Sequence, residues 1–468
     1  MSGTDPVLSL DEVEVHFEES GGLVDLIPFM ESRKSGTVRA VDGVSLDVYE
    51  NDVIALVGES GCGKTTLGKT AIGVQRPTGG TVRYRGHDIW EARDSRGGEI
   101  TFEEIRRSLQ MVHQDPGSSL NPNRTVQSSL SRALKRWYPD MDVNHREAHI
   151  LNMLERVEMT PAKDYANRYP HQLSGGEKQR AALVRALSMN PDVILADEAV
   201  SALDVSLRLD MMNHLLDLQS EMNTSFVFVS HNLSNARYLT QRANGRIAIM
   251  YLGEIVEIGT PEEILQNPKH PYTKVLLWST PKLFTDTAED MLEDPPVRTI
   301  DIPDPIDPPS GCKFHTRCEH VIPPSGMNIE QNTYNQIMDI RRAIGERTLD
   351  TESTWERIEA PADGEDADAT TTPREELTDE FVAELRQQTF DGELGSPHDE
   401  RVESAFEYVA EEDWEAAADH LAEHYRSVCE TTPPKLPGID HPAACHLHEQ
   451  PDRVTAEQLS STPAATDD

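Results

Sequence analysis

The sequence is poor in positive charge and in cysteine. Its 468 residues hold 43 Lys and Arg against 82 Asp and Glu, which gives a net charge of −39. A surface this acidic repels phosphate backbones and anionic lipids, so nucleic acid is excluded as a general partner. Five cysteines are too few for a disulfide framework in a chain of this length.

Long apolar runs are also missing. The longest, Ile247 to Gly253, is far shorter than the roughly 18 residues that a membrane-spanning helix needs. Residues Met1 to Pro6 have neither the basic start nor the apolar core of a signal peptide. We therefore expect a cytosolic chain whose attachment to a membrane, if it has one, runs through another protein.

The acidic residues are concentrated but not confined to one segment. Residues 341–420 carry 25 acidic and 7 basic side chains, and the rest of the chain still has a net charge of −21. One interpretation is a salt-rich cytoplasm, where acidic surfaces stay hydrated, and this predicts a haloarchaeal origin. The other interpretation is an ordinary acidic protein with one disordered insert.

Short apolar strands alternate with helical patterns in the first half of the chain. Residues 53–57, 193–196 and 226–229 are typical of buried parallel strands, and the alternation predicts an α/β domain with a mainly parallel sheet. Beyond residue 260 the pattern changes, and prolines cluster at 295–309. The acidic, apolar-poor stretch 351–373 is expected to be disordered.

A glycine-rich loop follows the first buried strand. It fits the phosphate-binding pattern G-x-x-x-x-G-K-[ST] and is called the P-loop here: Gly58, Glu59, Ser60, Gly61, Cys62, Gly63, Lys64, Thr65, with Thr66 next. Glycines let backbone N–H groups surround phosphate oxygens, and the following helix adds its positive dipole end. Lys64 can reach the β- and γ-phosphates, and Thr65 can offer its hydroxyl to Mg²⁺. Cys62 is expected to be packed rather than reactive.

Two acids end the second buried strand. Asp197 can hold Mg²⁺, and Glu198 can polarise a water that attacks the γ-phosphorus. The alternative is a pair of solvated carboxylates, but buried strands seldom end in two acids without a cation or a substrate.

A third segment opens a helix with little side-chain bulk. Ser174 is a candidate N-cap and Glu177 its capping-box partner. Gly175 and Gly176 leave the helix N-terminus bare, so a phosphate could approach it closely. Capping and phosphate binding are compatible interpretations of these residues.

The order of these motifs resembles that of ATP-binding cassette (ABC) ATPases. The resemblance adds four roles: Gln114 as a Mg²⁺ ligand and catalytic glutamine, Ser201 to Asp204 as a loop that contacts the opposite subunit, His231 as the γ-phosphate histidine, and Phe17 as the aromatic that stacks on adenine. It implies an α/β fold with a mainly parallel core, an antiparallel β subdomain, an inserted helical subdomain and an irregular C-terminal extension. It also implies head-to-tail pairing, with Ser174, Gly175, Gly176 and Asp204 acting on the ATP of the other chain.

The exact residues of four segments resemble those of the dipeptide/oligopeptide (peptide/nickel) importer ATPases. The segments that carry this are Gly58–Thr66, Gly117–Pro122, Val200–Ser206 and Asn267–Thr273. The expected organisation is 1–260 ABC ATPase with a helical subdomain at about 115–175, 261–321 first part of the extension, 322–425 acidic and partly disordered insert, 426–448 second part of the extension, and 449–468 disordered tail.

The extension contains four cysteines, Cys312, Cys318, Cys429 and Cys445. The resemblance implies a [4Fe–4S] cluster ligated by such residues, as in some members of the family. Zinc and plain thiols are the alternatives, and the spacing is not that of a zinc ribbon. About a hundred residues separate the second cysteine from the third, whereas the family has only a few there.

The sequence therefore predicts an ATP- and Mg²⁺-dependent importer motor for di- and oligopeptides, peripheral to the cytoplasmic face of the cell membrane. The resemblance implies a second homologous ATPase subunit or a homodimer, two transmembrane permeases and an extracytoplasmic solute-binding protein. An importer ATPase for nickel or oligosaccharides, or a soluble non-transport ABC ATPase, is the alternative.

Overall fold

The structure is a computed structural model that describes residues 5–18, 36–95, 99–113, 115, 120–201, 203–280, 296–299, 301–359, 373–390, 392–437 and 441–449. The chain divides into two compact units. The first comprises Met1–Pro295, Ile302–Pro308 and Lys435–His448, and the second comprises Pro296–Asp301, Pro309–Pro434 and Glu449–Asp468. The C-terminal part of the chain therefore returns to the first unit after passing through the second.

A six-stranded sheet forms the centre of the first unit. Its strands are β3 (Val53–Val57), β6 (Leu109–Val112), β7 (Val193–Asp197), β8 (Ser225–Ser230), β9 (Arg246–Tyr251) and β10 (Glu254–Gly259). Their order is β10-β9-β3-β8-β7-β6, and every pairing is parallel except that of β10 with β9. Every residue of β3, β7 and β8 is buried, which explains the apolar runs 53–57, 193–196 and 226–229 within them.

An antiparallel sheet of four strands packs in the same unit. It consists of β1 (Leu8–Glu18), β2 (Thr37–Val48), β4 (Gly79–Tyr84) and β5 (His87–Asp88), in the order β2-β1-β4-β5. Buried residues of β1 and β2 alternate with exposed or half-buried ones, as expected for a sheet with one face on a core. One apolar cluster includes residues of both sheets, among them Leu8, Val44, Ile54 and Leu195.

Eleven α-helices precede residue 280 in the described chain. They are α1 (Lys64–Ala71), α2 (Ile89–Asp94), α3 (Phe102–Ser108), α4 (Val126–Trp137), α5 (Val143–Arg156), α6 (Ala162–Asn167), α7 (Gly175–Leu187), α8 (Val205–Met222), α9 (Leu233–Ala243), α10 (Pro261–Gln266) and α11 (Pro271–Trp278). Three of them, α4 to α6, pack on one another between β6 and α7. The α/β fold class predicted from the sequence is confirmed, including parallel, antiparallel and helical parts.

The second unit is helical. It contains α12 (Gln331–Glu346), α13 (Thr351–Glu359), α14 (Thr378–Thr389), α15 (His398–Ala410), α16 (Trp414–Tyr425) and α17 (Val428–Thr431), and α18 (His446–Glu449) ends the described chain. The prediction of disorder across 351–373 is wrong for the residues of α13, whose Trp355 is buried and stacks on Phe381. Residues 360–372, and all of the predicted tail beyond Glu449, lie outside the described residues.

No helix of the described ranges is both long and apolar enough to cross a membrane.

Candidate functional site

The site lies where three neighbouring strands of the six-stranded sheet end. β3 leads into the P-loop, β7 ends at Asp197, and β8, between them, ends at Ser230. The register pairs Val57 with Ser230 and Asp197 with Val229. Because the carboxyl ends of parallel strands meet at one edge, the sheet brings three separate sequence motifs together.

The P-loop needs glycine at two positions where neighbouring backbone lies very close. A Cβ on Gly58 would lie 2.1 Å from the carbonyl oxygen of Met250, and one on Gly63 would lie 1.9 Å from that of Ala40. Gly63 also has φ +103°, in the left-handed region that favours glycine. The loop therefore presents backbone rather than side chains to the space in front of α1.

Lys64 is folded back onto the loop that it follows. Its Nζ donates to the carbonyl oxygens of Gly58 at 2.9 Å and Glu59 at 2.7 Å, and the residue is 6% exposed. Cys62 is buried beside it, and burial raises the pKa of the Cys62 thiol although the Lys64 cation opposes the shift. This supports a packed thiol at position 62, as the sequence predicted.

Thr65, which follows β3 and the P-loop, contacts Asp197 at the end of β7. The Thr65 hydroxyl donates to Oδ1 of Asp197 at 2.7 Å, although 132 residues separate them. A hydroxyl and a carboxylate at one point form the all-oxygen donor set that Mg²⁺ prefers. The two residues predicted as magnesium ligands thus fit that ion, whereas Gln114, the third predicted ligand, lies outside the described residues.

Glu198 and His231 form a pair at the same edge. His231 Nδ1 lies 3.1 Å from Oε1 of Glu198, and both residues line one cavity with Ser201 and Ser230. Glu198 has φ +48°, a strained backbone conformation for a residue other than glycine, and its N–H donates to the Val229 carbonyl at 3.1 Å. The chain therefore turns sharply at the end of β7 and aims the carboxylate at the end of β8.

The N-terminus of α7 is capped and uncovered. Ser174 and Glu177 form a capping box, with the Ser174 N–H donating to the Glu177 carboxylate at 2.7 Å and the Glu177 N–H donating to the Ser174 hydroxyl at 3.3 Å. Ser174 and Gly175 are exposed, and a Cβ on Gly175 would meet nothing within 4 Å. The sequence predicted the capping box and the bare helix end, and both are present.

Two other predicted residues have local roles that the structure makes clear. Asp204 is the N-cap of α8, where its carboxylate accepts from the Leu207 N–H at 3.1 Å. Phe17 lies in β1, paired with Val38, and the residue is 43% exposed. Neither observation tests the roles that the resemblance gives to these residues.

A side chain that the sequence did not indicate also hydrogen-bonds to the P-loop. Tyr272, on α11, accepts a hydrogen bond from the Glu59 N–H at 2.8 Å through its hydroxyl oxygen. The only available signal was its position within Asn267–Thr273, which the resemblance identified solely as the opening of the extension.

Parts of this chain match known families and proteins. An "ABC transporter" family model matches residues 41–201, and an "Oligopeptide/dipeptide transporter, C-terminal region" model matches residues 256–323. An oligopeptide transport ATP-binding protein of Bacillus subtilis is 38% identical over 312 residues, which are 67% of this chain and 89% of that protein. A dipeptide transport ATP-binding protein of Haemophilus influenzae is 40% identical over 285 residues, 61% of this chain and 82% of its own.

This chain belongs to the ABC transporter ATP-binding proteins. It is an ABC ATPase, and the family match explains why the P-loop, the β7 acids and the β8 histidine occur in this order. A solved dimeric bacterial ABC transporter cassette is 26% identical, covers 54% of this chain and 98% of its own, and has a TM-score of 0.45. Residues 331–442 match a domain of unknown function, so most of the acidic insert of this ABC ATPase is a described sequence family in its own right.

The cysteines of the extension do not form a metal site among the described residues. Cys312 and Cys429 are adjacent, with the Cys312 N–H donating to the Cys429 carbonyl at 2.7 Å. Within the described ranges no three His, Cys, Asp or Glu side chains are placed to hold a metal ion. Burial raises the pKa of the Cys429 thiol.

Proposed function

We propose that this chain is the ATP-binding and ATP-hydrolysing motor subunit of a membrane importer of di- and oligopeptides. The observation that carries the proposal is the meeting of Lys64, the Thr65–Asp197 pair and the Glu198–His231 pair at one sheet edge. The peptide substrate is supported by the C-terminal family match and by the names of the relatives, which are oligopeptide and dipeptide transport proteins.

The chemistry assigned to this edge is attack of water on the γ-phosphorus of ATP, which yields ADP and phosphate. Lys64 would exchange the two P-loop carbonyls for β- and γ-phosphate oxygens, whose negative charge makes them the stronger acceptors. Glu198 would orient the water and accept its proton, while His231, held at 3.1 Å from that carboxylate, would donate to the γ-phosphate.

Thr65 and Asp197 would hold Mg²⁺, with Gln114 as the further ligand that the resemblance implies. The ion supplies positive charge to the phosphate oxygens. A [4Fe–4S] cluster is not part of the proposal, because the described cysteines do not form a ligand set.

The exposed N-terminus of α7 supports a shared ATP site. Ser174, Gly175, Gly176 and Asp204 would act on the ATP bound by a partner ATPase, which is either a homologous subunit or a second copy. The proposed assembly adds two permeases and a solute-binding protein, with this chain on the cytoplasmic face of the membrane. Phe17, exposed on β1, would stack on the adenine ring.

The acidic composition supports a further proposal about the cell. A net charge of −39, of which −21 lies outside residues 341–420, suits a salt-rich cytoplasm such as that of haloarchaea. A single acidic insert would not produce a charge excess over the rest of the chain.

The function is tested with Glu198→Gln. The amide keeps the size of the side chain but cannot accept the proton of water, so ATP binding should stay within about twofold while turnover falls at least about 100-fold. The measurements are the binding and hydrolysis of MgATP by the purified chain, and uptake of labelled dipeptides by vesicles that contain the whole transporter.

A matched control is Glu104→Gln, in the capping box of α3, because it makes the same chemical change at a carboxylate to which no role in ATP binding is assigned. Near-normal hydrolysis by Glu198→Gln would contradict the catalytic assignment. Hydrolysis without uptake of any tested peptide would contradict the substrate class instead.

A further inference from the structure

A tyrosine of the extension forms a hydrogen bond with the backbone of the P-loop. Tyr272 is fully buried, and its ring centre lies 4.6 Å from that of Tyr251 on β9. Its hydroxyl oxygen accepts the Glu59 N–H at 2.8 Å, across 213 residues of sequence. The contact joins the family-specific extension to the loop that every P-loop ATPase needs.

Glu59 is consequently held through both of its peptide groups. Its N–H donates to Tyr272, while its carbonyl oxygen accepts from Lys64 Nζ at 2.7 Å. When Lys64 leaves the carbonyls to bind phosphate, the bond to Tyr272 is the one of these two that remains. The start of the P-loop would then depend on α11 for its position.

The first turn of α11, which carries Tyr272, is itself fixed by a buried carboxylate. Glu257 on β10 is 0% exposed and accepts from the N–H groups of Lys269 and His270, each at 2.9 Å, and from the Thr273 hydroxyl. The ring of His441, at 2.6 Å, contacts the same carboxylate. Four partners nearly fill the acceptor capacity of one carboxylate, so the turn has little freedom.

The second part of the extension supports the same turn. Lys269 Nζ donates to the His441 carbonyl at 2.6 Å, and the Ile258 N–H donates to the Pro442 carbonyl at 3.1 Å. The Ala444 N–H donates to the Val256 carbonyl at 2.8 Å. Residues from both ends of the extension therefore converge on the element that positions Tyr272.

We propose that Tyr272 is a positioning residue for the nucleotide site, and that the extension, through the Glu257 network, is part of the ATP-binding machinery. The inference rests on the proposed function, because it assumes that ATP binds at the P-loop. Without the Tyr272 hydroxyl the empty loop would sample more conformations, and ATP would have to order it on binding. Affinity for ATP should therefore fall while the chemical step is preserved.

The test is Tyr272→Phe in the full chain, which keeps the buried ring and removes only the acceptor oxygen. The Kd and KM for MgATP should rise about fivefold, as expected for one lost hydrogen bond, with kcat at saturating ATP unchanged within about twofold. In the nucleotide-free protein, hydrogen exchange of the peptide covering residues 53–66 should become faster.

Tyr138→Phe is the matched control. Its hydroxyl donates to the Met189 carbonyl at 3.0 Å in the same unit, so the variant also loses one tyrosine hydrogen bond, which is part-buried like that of Tyr272. It should change the melting temperature about as much as Tyr272→Phe but leave the Kd for MgATP and the exchange of residues 53–66 unchanged.

The outcomes separate the two proposals. Two outcomes would show that Tyr272 contributes only to packing and that the inference is wrong. In the first, the native chain and Tyr272→Phe bind MgATP equally well, and hydrogen exchange of residues 53–66 is unaltered. In the second, Tyr138→Phe shifts the Kd for MgATP by the same factor as Tyr272→Phe. If the native chain does not bind MgATP, the proposed function fails instead. The exchange of residues 53–66 needs no nucleotide and still tests the contact in that case.

Discussion

Among single residues, His270 shows how a buried side chain makes stability depend on pH. It is the N-cap of α11, where its Nδ1 accepts from the Tyr272 N–H at 3.1 Å. Burial, with a smaller contribution from the nearby His448, lowers the pKa of His270 from 6.5 to about 3. Protonation at Nδ1 would remove the acceptor, so the folded protein keeps the neutral ring.

The sign of the pH effect follows from that shift. Between about pH 6.5 and pH 3 the unfolded chain binds a proton at His270 that the folded chain does not. Stability from the neutral ring is therefore complete above pH 6.5 and is lost as the pH falls, at up to about 1.4 kcal/mol per pH unit. Urea unfolding at about pH 7, 6 and 5 measures this slope. His270→Asn, which can still cap the helix, should give a shallower slope, and an identical slope would show that other groups cause it.

The site residues that sequence predicts and those that it misses differ in the kind of partner they have. Lys64, Thr65, Asp197 and Glu198 belong to compact patterns at strand ends, and the register of the sheet then brings them together. Tyr272 binds a backbone N–H 213 residues away. Because every residue except proline has that group, such a contact leaves no pattern in the sequence.

At the scale of the helix, one N-terminus combines a structural and a proposed functional role. The capping box of α7 uses Ser174 and Glu177, and the capping box of α3 uses Thr101 and Glu104 in the same geometry. Both are expected to stabilise their helices equally. Only the first is proposed to face the ATP of a partner chain.

The pair Ser174→Ala and Thr101→Ala separates these roles. Each should lower the free energy of unfolding by about 1 kcal/mol, the usual effect of losing an N-cap side chain. ATP hydrolysis by the assembled transporter should fall at least about tenfold only in Ser174→Ala. Equal activities in the two variants would remove the proposed role of Ser174 in the shared site.

The helices of the insert show why some elements escape prediction. Within α12 the buried residues Tyr334, Ile337, Met338 and Ile344 follow helical spacing, but acidic and polar residues dilute them. In α13 the buried residues are Thr354 and Trp355, and Trp355 stacks on Phe381 of α14. Composition indicated disorder there because it averages over residues, whereas the packing depends on a few large side chains at the right positions.

For the whole molecule, charge is the dominant property. With a net charge of −39, repulsion among carboxylates favours expansion of the chain, and salt screens that repulsion as the Debye length falls from about 10 Å at 0.1 M to about 3 Å at 1 M. The melting temperature should therefore rise by at least about 5 °C between about 0.1 M and 2 M KCl. A calorimetric scan at each concentration measures it, with sucrose in place of KCl as the uncharged control. A melting temperature that falls with KCl would contradict the proposed salt adaptation.

The return of the chain to the first unit also bears on solubility. β10 is the last strand of the six-stranded sheet, and a strand in that place offers unpaired backbone groups to any other extended chain. Here the bridge between Glu257 and Ala443, with the adjoining backbone bonds of Val256 and Ile258, occupies part of that edge. The segment 442–444 thus protects part of this edge from aggregation, so truncating the chain ahead of it would expose a template for strand-to-strand association.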